Sequence, residues 1–192
     1  AEEAAKPAEL QLTILTAPDC PECFDPISFV GPLKTNNRVQ ISSEKSVEYT
    51  SDEGALLLQK YSVTRVPTVL VAGDVDKVFD SASFSQNLGT KAEDGTLVVT
   101  NVPAPYVDVA SGSVKGRFTL TYLTDKTCTE CYDSSLHRRA LLNLAMKASV
   151  ERSVDRLEGE GRKLIAQYKI ESTPTILLTG ELDLYPQFQQ IW

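Results

Sequence analysis

All four cysteines of the chain fall in two Cys-x-x-Cys motifs, Cys20-Pro21-Glu22-Cys23 and Cys128-Thr129-Glu130-Cys131. At the first turn of a helix, cysteines three residues apart share a face, and the second can reach the sulfur of the first. Unpaired N–H groups and the positive end of the helix dipole favour thiolate over thiol there. Such a pair supports thiol–disulfide exchange. Cys20 or Cys128 attacks a disulfide, a mixed disulfide forms, and Cys23 or Cys131 resolves it. Asp19 and Glu22 flank the first pair, and Asp125, Glu130 and Asp133 the second, with Lys126 the one nearby cation. Carboxylates oppose the helix effect. The expected thiol pKa is therefore about 7 rather than about 3.5, which favours a reductase or isomerase over a dedicated oxidant.

Other chemistry is weaker in the sequence. A shared four-cysteine metal site joins Cys-x-x-Cys units roughly 15–20 residues apart, whereas 104 residues separate Cys23 from Cys128. The expectation is no metal and no prosthetic cofactor. His137, the only histidine, follows Cys131 by six residues in an expected helix. That is about 600° of rotation, away from the cysteine face, so it reads as an exposed helix position. Tyr61 and Tyr168 occupy matching places and read as core anchors. Trp192 reads as a packing residue.

The elements that carry the cysteines come in two copies. Leu12–Thr16 matches Leu120–Thr124, Cys23-Phe24-Asp25 matches Cys131-Tyr132-Asp133, and Glu53-Gly54 matches Glu160-Gly161. Pro67-Thr68 and the apolar run behind it match Pro174-Thr175 and its run. The offset stays at 107 or 108 residues, the mark of an internal repeat. Each copy reads as a strand (10–16; 118–123), the cysteine turn, a helix (22–34; 130–147), a second strand ending near 49 and 155, and a second helix (52–61; 161–168). A buried strand then follows the Pro-Thr step. Pro26 and Gly31-Pro32 make the first helix short or irregular. Residues 80–88 and their counterpart near the end of the sequence read as short helices. Asp94-Gly95 and Thr96–Thr100 read as a turn and a strand that the second copy lacks.

At 192 residues with 42% hydrophobic content, the chain has room for two globular domains of about 100 residues each. The expected boundaries are a tether at 1–9, domains at 10–100 and 117–192, and a connection at 101–116. A net charge of −7 without a basic stripe argues against nucleic acid as a partner. No stretch approaches the roughly 18 apolar residues of a membrane span. The polar start, without Met, tilts the expected location slightly toward the cell envelope or outside the cytoplasm.

Strand, Cys-x-x-Cys, helix, strand, helix, then X-Pro-Thr and an apolar strand resembles the thioredoxin fold. The separation of Cys20 from Pro67, 47 residues, and of Cys128 from Pro174, 46 residues, fits it. Two copies resemble the tandem protein disulfide oxidoreductases. The resemblance implies an α/β fold of two tandem thioredoxin-like domains, each a central mixed sheet flanked by helices, the second short of its last strand. It implies redox disulfides Cys20–Cys23 and Cys128–Cys131, and cis peptide bonds before Pro67 and Pro174. Protein thiols or disulfides would be the substrates, with a thiol redox partner. Under this reading Val66 and Thr173, each preceding a proline that has no N–H, offer their backbone to substrate as an added strand. The chain departs from the thioredoxin pattern in the order of the helix and strand after the Pro-Thr strand and at three sets of residues. Asp19 and Thr127 stand where thioredoxins carry Trp, the family's buried Asp falls on Ile14 and Tyr122, and Glu22 and Glu130 replace the His of strongly oxidising relatives. Two other readings stay open: a non-catalytic binding or scaffold module, such as the soluble part of a larger envelope protein, and a metal-bridged structural module.

Overall fold

Alternating apolar and polar side chains make Ala8–Thr16 the first strand, β1, with Leu10, Leu12 and Ile14 on one face and Leu15 on the other. The structure is a computed structural model that describes residues 6–79 and 87–190. It is mixed α/β and divides into two units, Ala1–Val114 and Lys115–Trp192.

In the first unit the further elements are α1 (Ile27–Thr35), β2 (Val39–Glu48), α2 (Asp52–Lys60), β3 (Arg65–Val66), β4 (Thr68–Gly73) and α3 (Val75–Val78). Then come β5 (Gly89–Lys91), β6 (Leu97–Val99), β7 (Tyr106–Asp108) and β8 (Ser113–Lys115), whose last residue is the first of the second unit. The main sheet runs β2-β1-β4-β6-β5, with β1 parallel to β2 and antiparallel to β4. Both faces are covered. Val69, Val71, Leu97 and Val99 join β1 in packing against Val30 and Leu33 of α1 and Val75 of α3. Leu15, Val47, Leu70 and Val98 face the other way, toward Leu57 and Leu58 of α2. A second sheet is ordered β3-β7-β8.

The second unit repeats the senses of the first. β9 (Phe118–Thr124) is parallel to β10 (Val150–Asp155) and antiparallel to β11 (Thr175–Gly180). Helices α4 (Leu136–Asn143), α5 (Gly159–Tyr168) and α6 (Pro186–Gln189) accompany them. Tyr185 stands edge-on to Phe118 at 5.5 Å between centroids, and its hydroxyl donates to the Gly116 carbonyl at 2.6 Å.

The repeated Glu-Gly step has a packing cause. A Cβ on Gly54 would lie 2.1 Å from the Glu48 carbonyl oxygen, and one on Gly161 would lie 2.1 Å from that of Asp155. Each helix start thus presses on the end of the preceding strand. The adjacent acids are paired alike, Lys45 with Glu53 at 2.5 Å and Arg152 with Glu160 at 2.5 Å.

Several expectations need correction. The helices after the cysteines are shorter than 22–34 and 130–147. The Asp25 carboxylate accepts the Ile27 N–H and that of Asp133 accepts the Ser135 N–H, so an Asp-led turn precedes each helix. Helix α4 stops where Ala145 turns left-handed and the Met146 N–H reaches back to the Leu141 carbonyl. Ala8 and Glu9 belong to β1 and not to a tether, because the Ala8 N–H donates to the Arg38 carbonyl. The segment 101–116 is not a bare connection, since it carries β7 and β8. The added strand of the first copy is a hairpin, β5–β6, docked on β4. Tyr168 is 45% exposed and anchors no core, whereas Tyr61 is half-buried and its hydroxyl donates to Asp94 in that hairpin's turn. The second unit has no such hairpin among its described residues to cover Tyr168. Trp192 and most of the expected helix at 80–88 lie outside the described residues.

Replacing Gly161 with Ala drives a methyl group into backbone that has no flexible end to yield. The expected loss is about 2–3 kcal/mol of unfolding free energy. Urea titration of Gly161→Ala against the parent measures it, with Gly159→Ala, at an open position, as the near-neutral control.

Candidate functional site

Strand register builds each site. Leu15 of β1 is opposite Thr68 of β4, and Leu123 of β9 is opposite Thr175 of β11. Cys20 follows the end of β1 by four residues, and Cys128 follows the end of β9 by four. Pro67 and Pro174 immediately precede the paired strands. In each unit the cysteine turn and the proline turn therefore leave the same end of two adjacent antiparallel strands, β1 and β4 or β9 and β11. The Val66–Pro67 and Thr173–Pro174 bonds are both cis, and so is Ala104–Pro105.

The cysteines are joined within each motif, Cys20 to Cys23 with S–S 2.08 Å and Cys128 to Cys131 with S–S 2.07 Å. They lie in turns and not in the first turn of a helix, because α1 begins four residues after Cys23 and α4 five residues after Cys131. The helix-dipole contribution to a thiolate is confined to the first turn and is correspondingly reduced. The rotation argument for His137 falls with it, since Cys131 is outside the helix. His137 is half-buried, with its Nε2 3.0 Å from the hydroxyl of Tyr132, the neighbour of Cys131.

The two sites differ in cover. Cys20 and Cys23 are 5% and 7% exposed, in one buried cluster with Val63, Val66, Leu70 and Val107. Pro67 is buried too, and the Thr68 hydroxyl donates to the Val99 carbonyl. Cys128 and Cys131 are exposed, and Thr173 and Pro174 are half-buried.

Charge around the second turn is more balanced than Lys126 alone implies. The Asp125 carboxylate accepts from the Thr127 hydroxyl at 2.5 Å and the Thr127 N–H at 3.0 Å, and it pairs with Arg156 at 2.6 Å. Those contacts hold it below the usual carboxylate range, the Thr127 hydroxyl contributing most. The sequence did not mark Arg156, because it lies 28 residues from Cys128 and comes near the turn only through β10. Lys126 pairs with Glu158 at 2.9 Å. Asp155 accepts the Leu157 N–H at 2.9 Å and the Lys126 N–H at 2.8 Å, so it ties the end of β10 to the cysteine turn. The same two bonds hold its carboxyl low, Leu157 first.

Among the described residues no three His, Cys, Asp or Glu side chains are grouped to hold a metal ion, and no helix is long and apolar enough to cross a membrane. No protein-family model matches the chain, and no curated protein matches it.

The depressed pKa of Asp155 makes its contribution acid-sensitive. The stabilisation is present above the carboxyl's unfolded value of about 3.9 and is lost as pH falls through the lower folded value. Asp155→Asn is expected to lower stability at neutral pH and to flatten its fall below about pH 4. Urea midpoints measured across that range check both effects.

Proposed function

We propose that the chain is a thiol–disulfide oxidoreductase built from two thioredoxin-like domains, acting on protein thiols and disulfides without a prosthetic group. The observation that carries this reading is the twofold register: in both units a Cys-x-x-Cys disulfide and an X-Pro-Thr turn leave the same end of two adjacent antiparallel strands. With the pair reduced, the Cys128 thiolate attacks one sulfur of a substrate disulfide. A mixed disulfide forms and a substrate thiolate leaves. The Cys131 thiolate then attacks the Cys128 sulfur and releases the second substrate thiolate. Two electrons pass to the substrate, two protons from solvent complete its thiols, and a dithiol partner restores the pair. The same steps can be written for Cys20 and Cys23.

A reductase or isomerase fits better than a strong oxidant. The helices start beyond the cysteines, and the flanking acids are not outnumbered by cations, so little drives the thiols toward low pKa. After reduction, the first thiol of the second pair should titrate at about 7 or above. A value below about 5, read from thiolate absorbance, would reverse the preference.

Insulin reduction driven by dithiothreitol tests the activity. The protein should accelerate it at least about tenfold over dithiol alone, and the Cys20→Ser/Cys128→Ser double variant should fall to the uncatalysed rate. Equal rates for parent and double variant would remove the proposal. They would favour the second reading, a non-catalytic docking module, for which the burial of Cys20 and Cys23 speaks.

A further inference from the structure

Val66, immediately before Pro67, is the residue whose backbone would accept an extended peptide at the first site. That edge is filled from within the chain. Val66 is opposite Val107, and Arg65 opposite Asp108, in the antiparallel pair β3–β7. The Val109 N–H donates to the Thr64 carbonyl at 2.9 Å. Hydrogen-bonded pairs alternate along an antiparallel ladder, so two residues on, Val66 and Val107 form the next bonded pair. The same segment closes on the disulfide turn, where the Phe24 N–H, next to Cys23, donates to the Pro105 carbonyl at 2.9 Å. The Arg65 guanidinium lies 4.4 Å from the Tyr106 ring centroid. Val66 and Val107 are 0% and 4% exposed, within the cluster that holds Cys20 and Cys23. Thr173, the equivalent edge of the second unit, pairs with no strand among the described residues, and its disulfide is exposed.

We propose that residues 102–109 act as a built-in peptide on the docking edge of the first unit. While they are seated, the Cys20–Cys23 disulfide is closed to protein substrates, and exchange with proteins runs through Cys128–Cys131. The proposal rests on the thioredoxin-like reading of the Val66 and Thr173 edges. The ligand that fits the first edge is an extended, antiparallel apolar segment like Tyr106-Val107, and a competing segment must displace the chain's own.

Two full-length backgrounds separate the sites: Cys128→Ser/Cys131→Ser keeps only the first pair, and Cys20→Ser/Cys23→Ser keeps only the second. Dithiothreitol supplies two electrons and two protons to the surviving disulfide and becomes its own cyclic disulfide. A maleimide traps the freed thiols for mass measurement. The first pair should open at least about tenfold more slowly than the second, because β7 must first lift. Val107→Pro removes the N–H that the Val66 carbonyl accepts. It should speed opening of the first pair at least about tenfold and leave the second unchanged. An added peptide spanning residues 102–110 should slow the first pair of that variant again. Equal opening rates in the two backgrounds would overturn the proposal. So would a slow first pair in a Val107→Pro variant whose circular dichroism is native, the result expected of a permanent structural disulfide. If Val107→Pro does not fold, Tyr106→Ala loosens the segment through its contact with Arg65, with an expected speeding of about threefold; no change would equally overturn the proposal. Insulin reduction by the second background reads the oxidoreductase activity alone. Its failure would remove that activity while leaving the accessibility result standing.

Discussion

The antiparallel pairing of β1 with β4, and of β9 with β11, is the constraint on which both sites depend. Opposing Leu15 to Thr68 and Leu123 to Thr175 brings two turns distant in sequence to one sheet end. A slip of one residue would reverse every side chain on the strand, sending Leu10, Leu12 and Ile14 away from α1. Burial on both faces of the first sheet therefore fixes the register, and the register fixes where the prolines stand relative to the cysteines. Gly54 and Gly161 seat the helix after β2 and β10 directly on the strand ends.

On this shared frame the two units diverge. The first adds the β5–β6 hairpin on β4 and the β7 strand against β3, and its disulfide is buried. The second carries neither addition among its described residues, and its disulfide is exposed on a turn where Arg156 and Thr127 engage Asp125. The exposure of Tyr168 beside the half-burial of Tyr61 follows from the same difference. Two Cys-x-Glu-Cys motifs thus sit in unlike surroundings, one buried and one exposed.

Much of this arrangement was legible in the residues. The colinear repeat announced two copies, and β-branched and apolar runs marked the central strands. In each unit the strand register brings the cysteine turn and the Pro-Thr step to the same sheet end. What escaped was set by non-local contacts. Asp25 and Asp133 hold turns where helix-forming residues suggested longer helices. Val107 and Pro105 are closed over the first site by pairing with Val66 and Phe24, partners 41 and 81 residues away, which no local pattern displays. Arg156 reaches Asp125 in the same way, through the strand that precedes it.

The close spacing of each cysteine pair has a thermodynamic consequence. A cross-link restricts the unfolded chain according to the size of the ring it closes. A ring of four residues accounts for about 2 kcal/mol at 25 °C, against about 4.7 kcal/mol for one of a hundred. Breaking the exposed Cys128–Cys131 bond gives up about that 2 kcal/mol, whereas Cys20 and Cys23 also contribute to the apolar burial that holds the first unit. Opening a four-residue ring frees only a short loop of the unfolded chain, so the strand register of each unit does not depend on the cross-link beside it.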